Sequence, residues 1–506
     1  MALVTGVDSS TQSCKVVVVD TLTGAEVRSG RASHPEGTEV DPETWWRALL
    51  DAIRAADGLG DDVDALAVAG QQHGMVLLGR DGRVLRDALL WNDTRSAGAA
   101  RELIAELGID TLVARTGSAP VASFTGTKVR WVRNAEPDVV PAVAAVALPH
   151  DWLTWRLRGF GPEGGSPLGP VLEELVTDRS DASGTGYWSP AADGYDLDLF
   201  ERMLGRPARE AGGADAVGAD AESVILPRVL SSDAVAGTVH ASFLPSGDRR
   251  IVLGAGAGDN AGAALGLGAE EGDVVVSLGT SGTVFAVAAD AVADTSGTVA
   301  GFADASGLFL PLVATLNAAR VLSSVAGMLG VDHEGFAELA RAAEPGSGGV
   351  VLVPYFEGER TPNLPTAKAS FHNLSIASGT RENLARAAIE GMLCGLADAL
   401  DAVRATGTLP RHLLLIGGAA QNPAVQEVAA QVFDLPVRIP VPGEYVARGG
   451  AVQAAWALTG SRPRWVVGTV EDRAADHRPV IRRQYRTAIG SLRFQVPDAD
   501  RTTSEA

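Results

Sequence analysis

Short β-branched and small apolar runs, broken by polar or glycine-rich turns, alternate along this chain with segments of helical spacing. Ala2–Val7 leads into Asp8-Ser-Ser-Thr-Gln-Ser13, and Lys15–Asp20 resumes the apolar run through Val16–Val19. A polar turn between two such runs predicts a β-hairpin. The plan recurs in the second half: Val274–Ser277, then Leu278-Gly-Thr-Ser-Gly282, then Thr283–Val287. This is weak self-similarity of the kind left by a duplicated unit. Trp45–Ala56 has helical periodicity. Ala65–Ala69 reads as a strand that ends at Gly70-Gln-Gln-His-Gly74 and resumes over Met75–Leu78, with a turn at Arg80-Asp-Gly-Arg83. Gly159–Pro170 and Ala211–Asp220 read as loops. Further on, Leu413–Ile416 is a strand entering Gly417-Gly418, a helix starts near Pro423, Pro436–Ile439 is a strand and Arg448–Leu458 a helix. Strands alternating with helices predict an α/β protein.

Length changes the picture first: 506 residues are too many for one ordinary core, so two or three domains are expected. A composition of 46% hydrophobic residues, 59 glycines and 5% aromatics suits a soluble α/β protein with many tight turns. The formal charge of −20 argues against nucleic acid or an anionic membrane as partner. A phosphate ligand would then be held by backbone N–H groups and a metal ion, not by a basic surface. Cys14 and Cys394 lie far apart without CxxC spacing, and no HExxH pattern occurs, so neither a disulfide framework nor a zinc site is expected. No signal peptide or bilayer-spanning run is evident, and a cytoplasmic location is expected. The polar residues from about 493 on are expected to be disordered.

Candidate chemistry centres on Ile251-Val-Leu-Gly-Ala-Gly-Ala-Gly-Asp-Asn-Ala-Gly262. An apolar strand enters a glycine-rich turn that ends at Asp259 and Asn260, and a helix is expected to follow. Such a turn places a carboxylate beside backbone N–H groups free to take an anion, with Asp259 as a ready general base next to a phosphate. Two plainer readings compete. Asp259 is also well suited to N-cap the helix. Gly256-Ala-Gly258-Asp-Asn-Ala261 also formally matches a dinucleotide fingerprint, but the next strand ends in Ser and Gly where that motif needs an acid. No GxxxxGK[ST] loop is present, so any ATP would be held by another phosphate-binding architecture. The two Gly/Ser/Thr-rich hairpin tips would suit a polyphosphate clamped from both sides, or they are ordinary hairpins in unrelated places.

Six segments, in order, resemble the motifs of the FGGY carbohydrate kinases, within the hexokinase and actin-type ATPase superfamily. Gly6–Ser13 and Ser277–Gly282 resemble its two phosphate motifs. Gly70-Gln-Gln-His-Gly74 with Leu90-Trp-Asn-Asp-Thr-Arg95 resembles a sugar-site region. Gly258-Asp-Asn260 resembles the segment of the catalytic base, Pro354–Pro362 resembles another family segment, and Ile416–Asn422 resembles the adenosine motif. The likeness spans roughly residues 3 to 490. It implies two actin-like (ribonuclease H-like) domains flanking a deep catalytic cleft, with a mostly sugar-binding domain over 1–244, a mostly ATP-binding domain over 245–490 and a polar tail over 491–506.

The resemblance also implies roles. Asp259 would be the base that takes the proton from a sugar hydroxyl, and Asp8 would hold Mg²⁺. Ser10, Thr11, Gln12, Gly279, Thr280, Gly417, Gly418 and Asn422 would bind ATP. Gln72, His73, Trp91, Asp93, Asp259 and Asn260 would bind the sugar. His73-Gly74 stands where glycerol-specific members carry an Arg-Glu pair, and this favours a ketopentose such as D-xylulose, phosphorylated at its terminal hydroxyl. L-Ribulose, gluconate or glycerol kinases are the nearest alternatives. A non-catalytic sugar sensor and an actin-like filament or chaperone ATPase belong to other classes; the first needs neither Asp8 nor Asp259, and the second has no use for His73 or Trp91. Core packing remains an alternative for His73 and Trp91, and a cap or turn role for Asp93 and Asp181. A second copy of the chain is the one macromolecular partner left open. His150 departs from the pattern, since family members often carry Lys there.

Overall fold

The computed structural model describes residues 2–212, 222–246 and 249–492. The chain forms two compact units. Unit 1 is built from Met1–Glu271, Val287–Pro311 and Gly443–Val467, and unit 2 from Gly272–Ala286, Leu312–Pro442 and Gly468–Ala506. The loop expected at Ala211–Asp220 lies, from residue 213, outside the described residues, as does the polar tail from residue 493.

In unit 1, β1 (Leu3–Ser9) and β2 (Ser13–Asp20) form the expected hairpin, paired from Leu3↔Asp20 to Ser9↔Cys14. β3 (Glu26–Ser33) extends it on the side of β2, and β4 (Val63–Gly70) lies parallel to β1 on the other side. β5 (Val252–Gly254) continues parallel to β4. All seven residues of β1 are buried, because both faces of the sheet are covered by helices. On one face lies helix Pro42–Ala56, packed on β2 and β3. Its start is set by Asp41, whose carboxylate accepts the Glu43 N–H at 3.0 Å, and by Pro42 in the first turn. Its buried side is Trp45, Trp46, Leu49, Ala52 and Ile53, the three-and-four spacing read from sequence.

On the other face lies helix Tyr445–Thr459, packed on β1 and β4 and on helix Asp259–Gly266. Contact is backbone to backbone: a Cβ on Gly6 would stand 1.8 Å from the Ala447 carbonyl oxygen. Only a glycine in β1 admits this helix so close to the sheet.

Unit 2 repeats the arrangement. β6 (Asp273–Leu278) and β7 (Gly282–Ala286) form the second hairpin, β8 (Phe309–Thr315) pairs antiparallel with β7, and β9 (His412–Ile416) lies parallel to β6. β10 (Val437–Pro440) follows parallel to β9. The order and directions of β8-β7-β6-β9-β10 match those of β3-β2-β1-β4-β5. The faint sequence repeat is therefore a structural one.

One expectation fails. Met75–Leu78 does not resume β4. Val76–Leu78 belongs to a separate four-stranded sheet, where it pairs antiparallel with Ala145–Ala147. β4 ends at Gly70, and in the turn that follows His73 has a φ of 68°, in the left-handed region. Among the described residues no helix is long and apolar enough to cross a membrane.

Candidate functional site

Asp8 sits near the end of β1, opposite Lys15 on β2 and Ala69 on β4. It is 2% exposed. The Ser10 hydroxyl donates to Asp8 Oδ1, and Lys15 Nζ lies 3.8 Å from Oδ2 while pairing with Glu444 at 2.6 Å. Burial pushes the Asp8 carboxyl up to about 6, against the pull of Ser10 and Lys15. The hairpin tip is closed by the Ser10 N–H donating to the Ser13 carbonyl at 3.1 Å. Thr11 Oγ1 accepts the Trp91 indole N–H at 2.8 Å, so the expected sugar segment and phosphate tip are tied together. Gln12 points outward and is exposed.

Asp259 opens helix Asp259–Gly266, with Gly258 in the capping position. The capping reading of Asp259 therefore fails: its Oδ1 accepts the Asn260 backbone N–H and side-chain amide, each at 2.8 Å. Burial, and next the negative charge of Asp8, push the Asp259 carboxyl up to about 7. The Asp259 carboxyl is thus held near neutral pH, the range in which a carboxylate can serve as a general base.

The glycine-rich turn before Asp259 also differs from expectation. Its N–H groups are not free to take an anion. The Gly256 N–H donates to Gln453 Oε1 at 2.7 Å, and the Gln453 amide returns a bond to the Gly256 carbonyl at 2.7 Å. The Gly258 N–H donates to Ser180 Oγ at 3.0 Å. The N–H groups of Gly256 and Gly258 thus hold the turn that carries Asp259 and are not open to a phosphate. Gly256 has φ of 93° and lies so close to the His150 ring that a Cβ would stand 2.3 Å from it, so no other residue fits.

Around Asp259 the sugar candidates divide. Gln72 is buried; its amide donates to the Ser180 carbonyl at 3.2 Å and its oxygen accepts from Asn260 at 3.3 Å. His73 faces Phe124 and Phe302, at 5.0 and 5.7 Å between ring centroids. Its Nδ1 lies 2.7 Å from the Gly184 carbonyl, which can only accept, so Nδ1 carries a proton. The strained His73 backbone is held by Lys128 Nζ at 3.0 Å and Thr125 Oγ1 at 3.2 Å, both donating to its carbonyl. Burial pulls the Lys128 amine down to about 7. Asp93 is already spent: it accepts from Thr38 at 2.8 Å and from the Arg95 guanidinium and backbone at 2.9 and 3.0 Å. Although burial would raise its carboxyl, these bonds hold it below the usual range.

The remaining candidates lie in unit 2. Gly279 and Thr280 form the tip of the β6–β7 hairpin, and the Gly279 carbonyl accepts the Ala319 N–H at 3.0 Å. Gly417 follows β9 with φ of 97°, and a Cβ there would stand 2.6 Å from the Leu278 carbonyl. Gly279 and Gly417 thus meet at the carboxyl ends of two parallel strands, the usual ligand edge of an open α/β sheet. No atom lies within 4 Å of where a Gly418 Cβ would be. Asn422 caps helix Pro423–Val432, its Oδ1 accepting from Ala424 and Val425 at 2.9 and 3.3 Å. Glu359, in the Pro354–Pro362 segment, is a buried tie, accepting from Leu316 at 2.7 Å and Asn317 at 2.9 Å.

Sequence reasoning missed Ser180, Gln453 and Lys128. None has a local signature, since each acts on a residue far away in the chain. Comparison with known proteins adds a second line. Residues 3–266 match the N-terminal domain of the FGGY family of carbohydrate kinases, and residues 274–458 its C-terminal domain. The xylulose kinase of Streptomyces rubiginosus is 44% identical, covering 99% of this chain and 98% of its own. That of Escherichia coli strain K12 is 33% identical, with 84% of each covered. The crystal structure of xylulose kinase from Bifidobacterium adolescentis superposes with a TM-score of 0.87 at 45% identity, covering 97% of this chain and 99% of its own.

Proposed function

The chain belongs to the FGGY family of carbohydrate kinases, and from that premise we infer that it phosphorylates D-xylulose with ATP, at the terminal hydroxyl, giving D-xylulose 5-phosphate and ADP. The observation that carries the chemistry is Asp259, a carboxyl held near neutral poise by burial and by Asp8. Asp259 accepts the proton of the sugar hydroxyl while that oxygen forms its bond to the γ-phosphorus. The bond from phosphorus to the β–γ bridging oxygen breaks, and ADP leaves with the electron pair. Asn260, by donating two bonds to Oδ1, leaves Oδ2 as the oxygen for the proton.

Asp8 fits Mg²⁺ by its chemistry: it is a hard oxygen donor, buried, and still disfavoured as an anion with Lys15 3.8 Å away. Bound there, Mg²⁺ would draw charge off the triphosphate. Gly279, Thr280, Gly417 and Gly418 would hold the nucleotide, with Ser10 and Thr11 on the first hairpin tip. A protein that spends ATP on a small sugar works where ATP is held, in the cytoplasm.

For the sugar, Gln72, His73 and Asn260 form the recognition set. A site built to hydrogen-bond a hydroxyl strongly rejects analogues that lack it. A sugar panel read by ADP release is expected to give D-xylulose a higher kcat/KM than glycerol, L-ribulose or gluconate. His73→Ala should lower kcat/KM for D-xylulose by about 10- to 100-fold, with the KM for ATP nearly unchanged. Equal or better activity on glycerol sinks the substrate assignment, and an effect confined to the KM for ATP removes His73 from the sugar set.

The base must be ionised to work. With its carboxyl raised to about 7, kcat/KM for D-xylulose should climb as pH rises through that value and level off above it. A profile flat from pH 5.5 to 8 in folded enzyme would contradict a base of this poise.

A further inference from the structure

Against the turn that carries Asp259 lies a buried group with no part in the chemistry above. His150, on helix Pro149–Leu157, is fully buried, with Asp151 beside it and Asp178 and Asp181 facing it from the segment around helical turn Arg179–Ala182. His150 Nδ1 is 2.6 Å from Asp181 Oδ2 and 3.4 Å from Asp151 Oδ1, and Nε2 is 3.8 Å from Asp178 Oδ1. Burial alone would lower the imidazole pKa, but Asp151, the Asp181 hydrogen bond and Asp178 together push it well above its usual range. Tyr187, also buried, feels the charges of Asp151 and Asp181 from the other side. Nδ1 at 2.6 Å from a carboxylate shares a proton with it, and two ligands of one Mg²⁺ would stand further apart. Burial raises the carboxyls of Asp151, Asp178 and Asp181 as well, yet the three acids together favour the proton of the short His150–Asp181 contact on the imidazole, so the centre reads as a buried cation among them.

This group is wired to the base. Asp178 accepts the Ser180 and Asp181 N–H groups at 2.8 and 3.1 Å, fixing the helical turn. Ser180 grips both functional segments, its hydroxyl accepting from Gly258 and its carbonyl from Gln72. Gln72 accepts from Asn260, and Asn260 donates to Asp259. The His150 ring itself packs on Gly256. We propose that His150, as a buried cation among Asp151, Asp178 and Asp181, is a positioning residue that sets the Asp259 carboxylate through Ser180 and Gly256.

The proposal rests on Asp259 being the base. Small displacements of a reacting group cost up to about 10²-fold in rate. His150→Gln, which removes the cation, and Ser180→Ala, which removes the hydroxyl hold on Gly258 but no charge, should each lower kcat by about 10- to 100-fold while the KM for ATP stays within about threefold. His150→Lys restores a cation and should recover kcat to within about threefold of the parent enzyme. A merely structural role would not separate kcat from KM in this way, nor be rescued by charge. Parent-like kcat in Ser180→Ala, or His150→Lys as slow as folded His150→Gln, overturns the proposal. If His150→Gln does not fold, Ser180→Ala and His150→Lys decide it alone: a slow serine variant with a fast lysine variant supports it, and any other pair overturns it. Asp259→Asn, run in parallel, separates the two readings. Normal turnover there removes the base itself, whereas a dead Asp259→Asn beside a fully active Ser180→Ala removes only the positioning role.

Discussion

Asp259→Asn should cost the enzyme about 10²- to 10⁴-fold in kcat while leaving sugar binding intact and making unit 1 more stable. The loss follows from replacing a base by an amide of the same shape. The gain follows from the raised carboxyl. In the unfolded chain the group ionises near 3.8, and in the fold near 7. Between these values the folded state holds a proton that the unfolded one has lost, so stability falls as pH rises through that window. That cost is full above pH 7 and shrinks as pH falls through the folded value. Asparagine never ionises and escapes it, a gain on the order of 1–3 kcal/mol at pH 8. Thermal melts at pH 8 and pH 5, with D-xylulose binding measured by calorimetry, check both halves. A variant with parent turnover rejects Asp259 as the base. An inactive variant less stable than the parent at pH 8 shows that the carboxylate is not strained.

Asp8→Asn is the second large effect. Turnover should fall on the order of 10²-fold, because one fixed charge for the metal and triphosphate is removed from a low-dielectric site. Half-saturation by Mg²⁺ should move to higher concentration, while D-xylulose affinity changes little, since Asp8 makes none of the contacts of Gln72, His73 or Asn260. Loss of the Asp8 charge also withdraws one of the two causes that raise Asp259. A Mg²⁺ titration of initial rates, beside sugar calorimetry, separates these effects. Unchanged Mg²⁺ dependence and kcat would leave Asp8 a turn residue bonded to Ser10.

The local parts of this molecule were readable from the chain. Both hairpins follow from valine runs broken by Gly/Ser/Thr turns, and helix Pro42–Ala56 follows from its tryptophan and leucine spacing. Asp259 could be found because a glycine-rich turn must end somewhere, and it ends on an acid. The partners of that turn could not be found. Gln453 reaches Gly256 across 197 positions and Ser180 reaches Gly258 across 78, and neither leaves a trace in hydrophobic period or turn chemistry. For the same reason the turn's N–H groups were expected to await an anion when they are already satisfied. Met75–Leu78 was misassigned because its pattern is that of any buried strand. Between it and β4 lies a turn with a left-handed backbone at His73, and a histidine gives no warning of that.

The late return of Gly443–Val467 to unit 1 has a consequence for how the chain is made. A ribosome delivers residues at roughly 5–20 per second, so sequential domains can fold as they emerge. Here β1, β2 and β4 leave the exit tunnel long before helix Tyr445–Thr459, which covers one of their faces and supplies Gln453 to the catalytic turn. For roughly 20 to 75 seconds of synthesis the nascent sheet carries a naked apolar face. Unit 2, which is translated largely within that interval, can close first. Expression yield should therefore depend on chaperones that shield nascent hydrophobic surface, and a chain halted before residue 443 should be held by them.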